Sequence, residues 1–282
     1  MSAKILVVGH RNPDNDSISA AVGYAHLKNA LAARDGEAGV EYVPARLGPL
    51  PVESAWMLER NNIPEPVLID NVNPVERDGE EVKQQVILVD HNEIAQAAPG
   101  IENAEVVEVI DHHRIADIST ANPILFLNLP IGSTATIVTL QFRQTGIEMP
   151  DSIAMVLLSA ILTDTVIMKS PTCTPVDVEQ VNFLADKLGL SAVDFGMEIF
   201  RTRGGERTMP IAKLVEADSK EFKVSDDVTV LIAQRETVDL PTVMGREAEI
   251  REHMKKLVDE GGYEFALLMA TDILAEGSQF IV

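Results

Sequence analysis

Histidine and aspartate side chains cluster directly after apolar segments of this sequence. Four of the six histidines lie in four short polar segments, together with five aspartates. The segments read His10-Arg-Asn-Pro-Asp-Asn-Asp16, Asp90-His-Asn92, Asp111-His-His-Arg114 and Thr163-Asp-Thr165. Their donors are carboxylate oxygens and imidazole nitrogens without a thiolate, a set that suits Mn²⁺, Co²⁺ or Mg²⁺ better than a structural zinc ion. We therefore expect a site for divalent metal.

The charge of these carboxylates favours two cations. Ionised carboxylates that lie close together repel one another, which raises their pKa values unless cations lie between them. Asp14, Asp16, Asp90 and Asp164 would together balance two divalent ions. Such a pair of ions can hold a bridging hydroxide and contact the oxygens of an in-line phosphoryl displacement. The residues thus indicate phosphoryl-transfer chemistry.

Taken singly, most of these residues have a structural explanation as well. An aspartate before a helix, as Asp16 is, is often an N-cap. A buried histidine such as His91 is more often a core residue or the partner of a ligand than a ligand itself, and we interpret His26 and His253 as helix-surface residues. Asp164 is harder to explain in this way, because a carboxylate in an apolar helical stretch is costly without a partner. Together the segments favour the metal site.

The elements that position these residues follow from the hydrophobic pattern. Short apolar runs alternate with helical stretches, which is typical of a mostly parallel α/β sheet. The runs lie at 4–8, 40–43, 66–69, 86–89, 106–110 and 124–129, and the helical stretches at about 52–61, 93–98, 134–145 and 151–163. A further helix has clear start and stop residues, with Thr174 as N-cap, Pro175 and Asp177 in its first turn and Gly189 at its end. The strand ends of a parallel sheet share the edge at which α/β proteins bind ligands.

A domain boundary is predicted where the hydrophobic periodicity stops, at Thr202-Arg-Gly-Gly-Glu-Arg207. We predict a metal-binding domain at 1–202, a linker at 203–208 and a smaller α/β domain at 209–282. The second domain should contain strands at 221–224, 228–233 and 265–270 and a helix with Ile250 and Met254 on its apolar face. It stops on the apolar run 280–282, so we expect this domain to be truncated.

Composition excludes several classes of protein. The 282 residues include 44 acidic and 23 basic side chains, a net charge of −21, which argues against a broad surface for nucleic acid or an anionic membrane. The one cysteine, Cys173, excludes an internal disulfide and fits a reducing compartment. We interpret the start as a strand and not as a signal peptide, and the longest apolar stretch, 153–162, is far shorter than the roughly 20 residues that span a bilayer. We expect a soluble, cytoplasmic protein.

Seven segments carry a family resemblance that covers essentially the whole chain. They are His10-Arg-Asn-Pro-Asp-Asn-Asp-Ser17, Ile87-Leu-Val-Asp-His-Asn-Glu93, Val109-Ile-Asp-His-His-Arg-Ile115, Leu158-Ser-Ala-Ile-Leu-Thr-Asp164, Lys169-Ser-Pro-Thr-Cys-Thr174, Lys220-Glu-Phe222 and Thr271-Asp-Ile-Leu274. The chain resembles the family II, manganese-dependent inorganic pyrophosphatases of the DHH phosphoesterase superfamily. The Asp-His-His triplet is shared with exonucleases and oligoribonucleases of the superfamily, whereas the second and fifth segments are much more specific.

The resemblance implies a metal centre and a reaction. One cation would be bound by His10, Asp14, Asp90 and Asp164, and the second by Asp16, Asp90, His112 and Asp164. The implied ions are two Mn²⁺ or Co²⁺, with additional Mg²⁺ accompanying the substrate. The implied reaction is hydrolysis of diphosphate to two orthophosphates by a metal-bridging hydroxide.

Other residues are assigned by the same resemblance. His113 resembles the histidine that hydrogen-bonds or protonates a phosphate oxygen, and Lys220 the lysine that the second domain brings to the electrophilic phosphate. Asn15 stands where threonine is more usual, which we expect to be harmless. Asp111 is expected to orient a ligand imidazole. Family members close their two domains over the substrate, and they typically form homodimers.

The chain departs from the family at its end, where no Ser-Arg-Lys-Lys-Gln motif occurs. The arginine and lysine of that motif bind diphosphate, so their loss should weaken catalysis. One alternative is therefore a weakly active metal-binding fragment. Another is a phosphodiesterase of the superfamily acting on oligonucleotides or cyclic dinucleotides, which the −21 charge and the 4% aromatic content disfavour.

Overall fold

The computed structural model describes residues 3–37, 39–77, 79–202, 205–225 and 228–282. The chain forms two compact units, Met1–Gly196 and Met197–Val282. None of the described helices is long and apolar enough to cross a membrane.

The first unit is built on a parallel sheet of six strands in the order β3-β2-β1-β6-β7-β8. The strands of this unit are β1 (Ala3–Arg11), β2 (Val40–Leu47), β3 (Val67–Leu68), β6 (Gln85–Val89), β7 (Glu105–Asp111) and β8 (Leu125–Asn128), with β4 (Val75–Arg77) and β5 (Glu80–Val82) in a separate antiparallel hairpin. Val7 and Val8 are both fully buried, as expected for a central strand covered on both faces. All six predicted runs lie in the sheet, and the predicted mostly parallel α/β fold is confirmed.

Helices cover this sheet and carry the residues that follow its strands. They are α1 (Asn15–Asp35), α2 (Val52–Arg60), α3 (Thr134–Thr145), α4 (Asp151–Asp164) and α5 (Pro175–Leu188), and a further helix, α6 (Ala192–Thr202), contains the boundary between the two units. Helices α1 and α4 pack closely at Gly23, where a Cβ atom would lie 2.7 Å from Leu157 Cδ2. Helix α5 starts with the predicted capping box of Thr174 and Asp177 and ends at Gly189, as expected.

Two local expectations for this unit were wrong or incomplete. The stretch 93–98 forms only a short 3₁₀ turn, Ile94–Gln96, because Ala97 is extended, and Pro99 and the left-handed Gly100 follow it. Neither the β4–β5 hairpin nor helix α6 was predicted. The hairpin carries charged residues that show no apolar alternation.

The second unit has a mixed sheet of four strands in the order β12-β11-β10-β9, in which β10 and β11 are parallel. Its elements are α7 (Gly205–Thr208), α8 (Ile211–Glu216), β9 (Ser219–Lys223), β10 (Thr229–Thr237), α9 (Leu240–Met244), α10 (Glu247–Gly261), β11 (Ala266–Asp272) and β12 (Gly277–Ile281). Ile250 and Met254 are buried in its core, as their spacing predicts. The smaller α/β character of this unit is confirmed.

The predicted linker 203–208 is partly a folded element. Residues 203 and 204 lie outside the described residues, whereas Gly205–Thr208 form α7. The Glu206 carboxylate accepts hydrogen bonds from Thr237 Oγ1 at 2.7 Å and Arg235 Nη2 at 3.3 Å, so α7 is held on β10 of the second unit. The exact domain bounds of 1–202 and 209–282 stay a prediction.

Candidate active site

The end of β1 and the start of α1 place His10 and Asp14 side by side. Asp14, and not Asp16, is the N-cap of α1, because its Oδ1 accepts a hydrogen bond of 2.9 Å from the Ser17 backbone N–H. Its second oxygen, Oδ2, lies 3.5 Å from His10 Nε2. His10 Nδ1 lies 2.8 Å from the Arg11 carbonyl oxygen, which leaves Nε2 to face the carboxylates. Capping thus uses one oxygen of Asp14 and leaves the other for the site.

Asp16 is fully buried beneath the N-terminus of α3. Its carboxylate accepts hydrogen bonds from Ser133 Oγ at 2.8 Å and from the backbone N–H groups of Thr134 at 2.6 Å and Ala135 at 2.9 Å. A helix N-terminus favours a negative charge at this place. Burial and then the nearby charge of Asp90 nevertheless raise the pKa of Asp16 to about 7. Positive charge close to this carboxylate, such as that of His112, therefore favours its ionised form.

Asp90 follows β6 and lies between two imidazoles. Its Oδ2 is 3.4 Å from His10 Nε2, and its Oδ1 is 3.4 Å from His112 Nε2. Thr134 Oγ1 also donates a hydrogen bond of 3.0 Å to Oδ1. Burial alone would raise the pKa of Asp90, but its contacts with His10 and His112 hold this pKa well below the usual range. Asp90 is thus an anion with a different neighbour on each oxygen.

Two adjacent histidines after β7 are held in different ways. His112 Nδ1 lies 2.9 Å from the Ile131 carbonyl oxygen, and its Nε2 faces Asp90. His113 Nδ1 lies 2.9 Å from Asp111 Oδ1, and the His113 side chain is half exposed. The bond to Asp111 raises the pKa of His113. Asp111 therefore orients the more exposed His113 and not His112, for which a backbone carbonyl performs that role.

Asp164 ends α4 and faces the second group of ligands. Its Oδ2 is 3.9 Å from His112 Nε2, whose distance to Asp16 Oδ2 is 4.0 Å. Burial and then the charges of Asp16 and Asp90 raise the pKa of Asp164 well above its usual value. For His112, burial lowers the pKa, yet Asp90 and Asp16 raise it to about 9. The raised pKa of His112 thus favours a positive charge beside these carboxylates.

The donor set fits divalent cations. Three groups have ligand atoms within 4.8 Å of one another, namely His10 with Asp14 and Asp90, Asp16 with His112 and Asp164, and Asp90 with His112 and His113. Asp90 Oδ2 is buried and forms no hydrogen bond with any described residue. Burial opposes protonation of His10, but Asp14 and Asp90 raise its pKa to about 11. Cations would replace these protons, since metal binding and protonation compete for the same atoms.

Of the eight predicted site residues, the structure brings the six predicted metal ligands and His113 into this cluster. The six are His10, Asp14, Asp16, Asp90, His112 and Asp164. His113 lies at the exposed side of the same cluster, and Lys220 lies on β9 of the second unit with its side chain exposed. Their roles as ligands and substrate contacts stay predictions.

Sequence reasoning missed three supporting residues, Asn92, Ser133 and Thr134. Asn92 Nδ2 donates to Asp111 Oδ2 and, at 3.0 Å, to the Arg114 carbonyl oxygen, which fixes the loop that carries both histidines. Ser133 and Thr134 bind Asp16 and Asp90 as described above. A signal existed, because Ser133 directly precedes the predicted helix 134–145 and is a typical N-cap.

Known protein families and relatives match this chain over most of its length. Residues 4–161 match the DHH family, N-terminal domain, and residues 197–282 match the DHHA2 domain. The chain is 40% identical to a probable manganese-dependent inorganic pyrophosphatase of Archaeoglobus fulgidus over 100% of this chain and 86% of the relative. It is 35% identical to the manganese-dependent inorganic pyrophosphatase of Methanothrix thermoacetophila, again over 100% of this chain and 85% of the relative.

Solved structures agree with these relatives. The crystal structure of a candidate family II inorganic pyrophosphatase of Methanococcus jannaschii matches with a TM-score of 0.66 and 31% identity, covering 98% of this chain and 86% of that one. An exopolyphosphatase-related protein of Bacteroides fragilis shares the fold at 15% identity and a TM-score of 0.51, covering 95% of this chain and 76% of that one.

Proposed function

The chain belongs to the manganese-dependent inorganic pyrophosphatases of the DHH family, and we propose that it hydrolyses inorganic diphosphate to two orthophosphates. The observation that carries the proposal is the carboxylate of Asp90, which lies at the carboxyl ends of the parallel strands. It is 3.4 Å from both His10 Nε2 and His112 Nε2. The full-length relatives favour diphosphate over the oligonucleotide or cyclic dinucleotide substrates of the alternative.

A divalent cation is the cofactor, and we propose two ions of Mn²⁺ or Co²⁺, with further Mg²⁺ accompanying the substrate. His10, Asp14, Asp90 and Asp164 would hold one ion, and Asp16, Asp90, His112 and Asp164 the other. Support for a shared Asp90 comes from its two oxygens, which face different histidines. When bound, such ions lower the pKa of water and neutralise phosphate oxygens.

His113 is proposed to hydrogen-bond or protonate a phosphate oxygen. Asp111 accepts from its Nδ1 at 2.9 Å, which directs Nε2 away from that carboxylate and raises the pKa of the ring. The raised pKa favours the protonated ring, whose Nε2–H can donate to a phosphate oxygen. We propose Lys220 as a cation of the second unit that contacts the electrophilic phosphate, as in the family that this sequence resembles.

Phosphate release from diphosphate tests the function. With Mn²⁺ and Mg²⁺ present we expect release by the unmodified chain, and Asp164→Ala should lower its rate at least about 100-fold, because several kcal/mol of charge stabilisation depend on the cations. A metal chelator should abolish it. Retained activity in the variant or with the chelator would contradict the proposed mechanism. Faster turnover of a dinucleotide than of diphosphate would favour the phosphodiesterase alternative.

A homodimer and a cytoplasmic location are further proposals. The dimer is implied by the family resemblance, and the lone Cys173 fits a reducing compartment. Analytical ultracentrifugation should give a mass of about twice the 30.7 kDa of one chain. Fractionation of the source cells should place the enzyme with the cytoplasmic proteins, and a mass of one chain or recovery in the membrane fraction would contradict the respective proposal.

A further inference from the structure

We propose that Asn15 is a positioning residue, which fixes the spacing between the aspartates of α1 and the aspartate at the end of α4. This inference rests on the metal-dependent function proposed above. Asn15 lies between Asp14 and Asp16 in the first turn of α1 and is 1% exposed. Asp164 directly follows Thr163 at the end of α4. The candidate ligands therefore come from two helices that must be held in register.

Asn15 connects these helices with its whole side chain. Its Nδ2 donates hydrogen bonds to Ser159 Oγ and Thr163 Oγ1, each at 3.2 Å. Its Oδ1 accepts from Ser54 Oγ at 2.9 Å and from Ser19 Oγ at 3.5 Å. An amide has two N–H donors and one oxygen with two lone pairs. These four contacts use its full hydrogen-bonding capacity.

The direction of the bonds to α4 is determined by the helix itself. Ser159 Oγ donates its one hydrogen to the Val156 carbonyl at 2.7 Å, and Thr163 Oγ1 donates to the Ala160 carbonyl at 2.9 Å. Both hydroxyls can therefore only accept from residue 15. An amide supplies two donors, whereas a threonine hydroxyl supplies one. Asn15 thus forms a double link between α1 and α4 that a threonine at this position could not form.

The link matters because both ends of it adjoin candidate ligands. Asn15 is flanked by Asp14 and Asp16, and Thr163 is followed by Asp164. A small displacement of the first turn of α1 along α4 would change the distances among all three carboxylates. Residues that hydrogen-bond metal ligands typically contribute 10–100-fold to metal affinity, and we expect a loss at the lower end of that range for Asn15, which holds the helices that carry the ligands. We therefore expect that removal of this link weakens metal binding and also lowers the free energy of unfolding.

Mn²⁺ affinity of the intact chain tests the proposal, measured from the electron paramagnetic resonance signal of free Mn²⁺. Asn15→Ala should raise the Kd at least about tenfold, and Asn15→Thr should give an intermediate value, because one of two donors remains. The matched control is Ser54→Ala, which removes a bond to the same amide from α2, a helix without a candidate ligand. Its Kd should change less than about twofold.

Unfolding of each variant without metal separates positioning from stability alone. If folded Asn15→Ala binds Mn²⁺ as tightly as the unmodified chain and is only less stable, the proposal is overturned. The same holds if Asn15→Thr retains full affinity or if Ser54→Ala matches Asn15→Ala. Should Asn15→Ala fail to fold, Asn15→Thr carries the test. An unmodified chain that binds Mn²⁺ but does not hydrolyse diphosphate would contradict the proposed function and leave this inference standing.

Discussion

The backbone of Asp90 is held in a conformation that an aspartate seldom adopts. Its φ angle is 63°, in the left-handed region, which costs on the order of 1 kcal/mol for a residue with a side chain. The backbone N–H of Asp90 donates to the Ile110 carbonyl at 2.9 Å, so the neighbouring strand fixes the turn. The turn lets one carboxylate face His10 and His112 at once. The strained backbone of Asp90 thus helps to place its carboxylate between the two imidazoles.

Replacement of Asp111 by asparagine should shift the pH dependence of hydrolysis. The Asp111 carboxylate raises the pKa of His113, so the protonated imidazole persists to higher pH than it would alone. Asp111→Asn removes this effect, and His113 then loses its proton at lower pH. We expect the alkaline limb of the kcat/KM profile to move to lower pH, measured by phosphate release. Cations that lower this pKa in both enzymes leave the sign of the difference unchanged.

Asp117→Asn is the control for that shift. Asp117 Oδ1 accepts a hydrogen bond of 2.8 Å from the Ile94 backbone N–H. Removal of this carboxylate should leave the alkaline limb in place. An alkaline limb that is the same in Asp111→Asn and the unmodified chain would show that the proton of His113 does not limit the rate.

Residue types and spacing were enough to predict the cluster of Asp and His residues, but not the residues that hydrogen-bond to it. Asp and His after apolar runs are visible in the sequence, because strands end where the polar residues begin. Asn92 and Thr134 are ordinary loop and helix residues until the fold brings them to Asp111 and Asp90 from 19 and 44 positions away. Partners at such separations depend on sheet order and register, which local patterns do not determine.

At the scale of elements, the N-terminus of α3 combines a helix cap with a ligand support. Ser133 Oγ accepts from the Ala135 N–H as the N-cap and donates to Asp16 Oδ1 at 2.8 Å. Ser133→Ala should therefore lower the free energy of unfolding by about 1 kcal/mol, the usual loss for a cap. It should also weaken Mn²⁺ binding about tenfold, because Asp16, a buried candidate ligand, loses a supporting hydrogen bond.

Thr174→Ala provides the matched comparison, since Thr174 is the N-cap of α5. Its loss should cost a similar free energy of unfolding in urea titrations, again about 1 kcal/mol. Mn²⁺ affinity, from the same paramagnetic resonance measurement, should be unchanged within about twofold in folded Thr174→Ala. Equal losses of affinity in both variants would mean that a general loss of stability, and not the contact with Asp16, weakens the site.

Elements with clear local signals were predictable, and those fixed by long-range contacts were not. The capping box of α5 was correct as a helix start, but Asp177 also accepts from the Gly132 N–H at 2.9 Å, a contact that only the fold reveals. Helix α7 lies where glycines and charges predict a linker. Its Glu206 binds Arg235 and Thr237, which lie 29 and 31 residues away, so local sequence does not show the contacts that hold α7 on β10.

At the scale of the whole molecule, a divalent metal should stabilise one of the two units more than the other. The chain has a net charge of −21, and cations of any kind reduce its self-repulsion. The clusters able to hold a metal, among the described residues, all lie in the first unit. A ligand that binds only the folded state stabilises it in proportion to RT ln(1 + [L]/Kd). Mn²⁺ should therefore stabilise the first unit specifically, beyond any effect of ionic strength.

Hydrogen exchange of the intact chain, with mass spectrometry of its peptides, resolves this difference. At a free Mn²⁺ concentration of about 100 times the Kd, the folded first unit is stabilised by about 2.7 kcal/mol. Amides of β1 and α4 that exchange through opening of this unit should therefore exchange about 100-fold more slowly. Amides of α10 and β11 should exchange at the same rate with and without Mn²⁺ when NaCl keeps the ionic strength constant and diphosphate is absent. Equal protection of both units would mean that they unfold together or that the second unit binds Mn²⁺ itself. The first result would contradict separate unfolding of the two units, and the second would contradict a metal centre confined to the first.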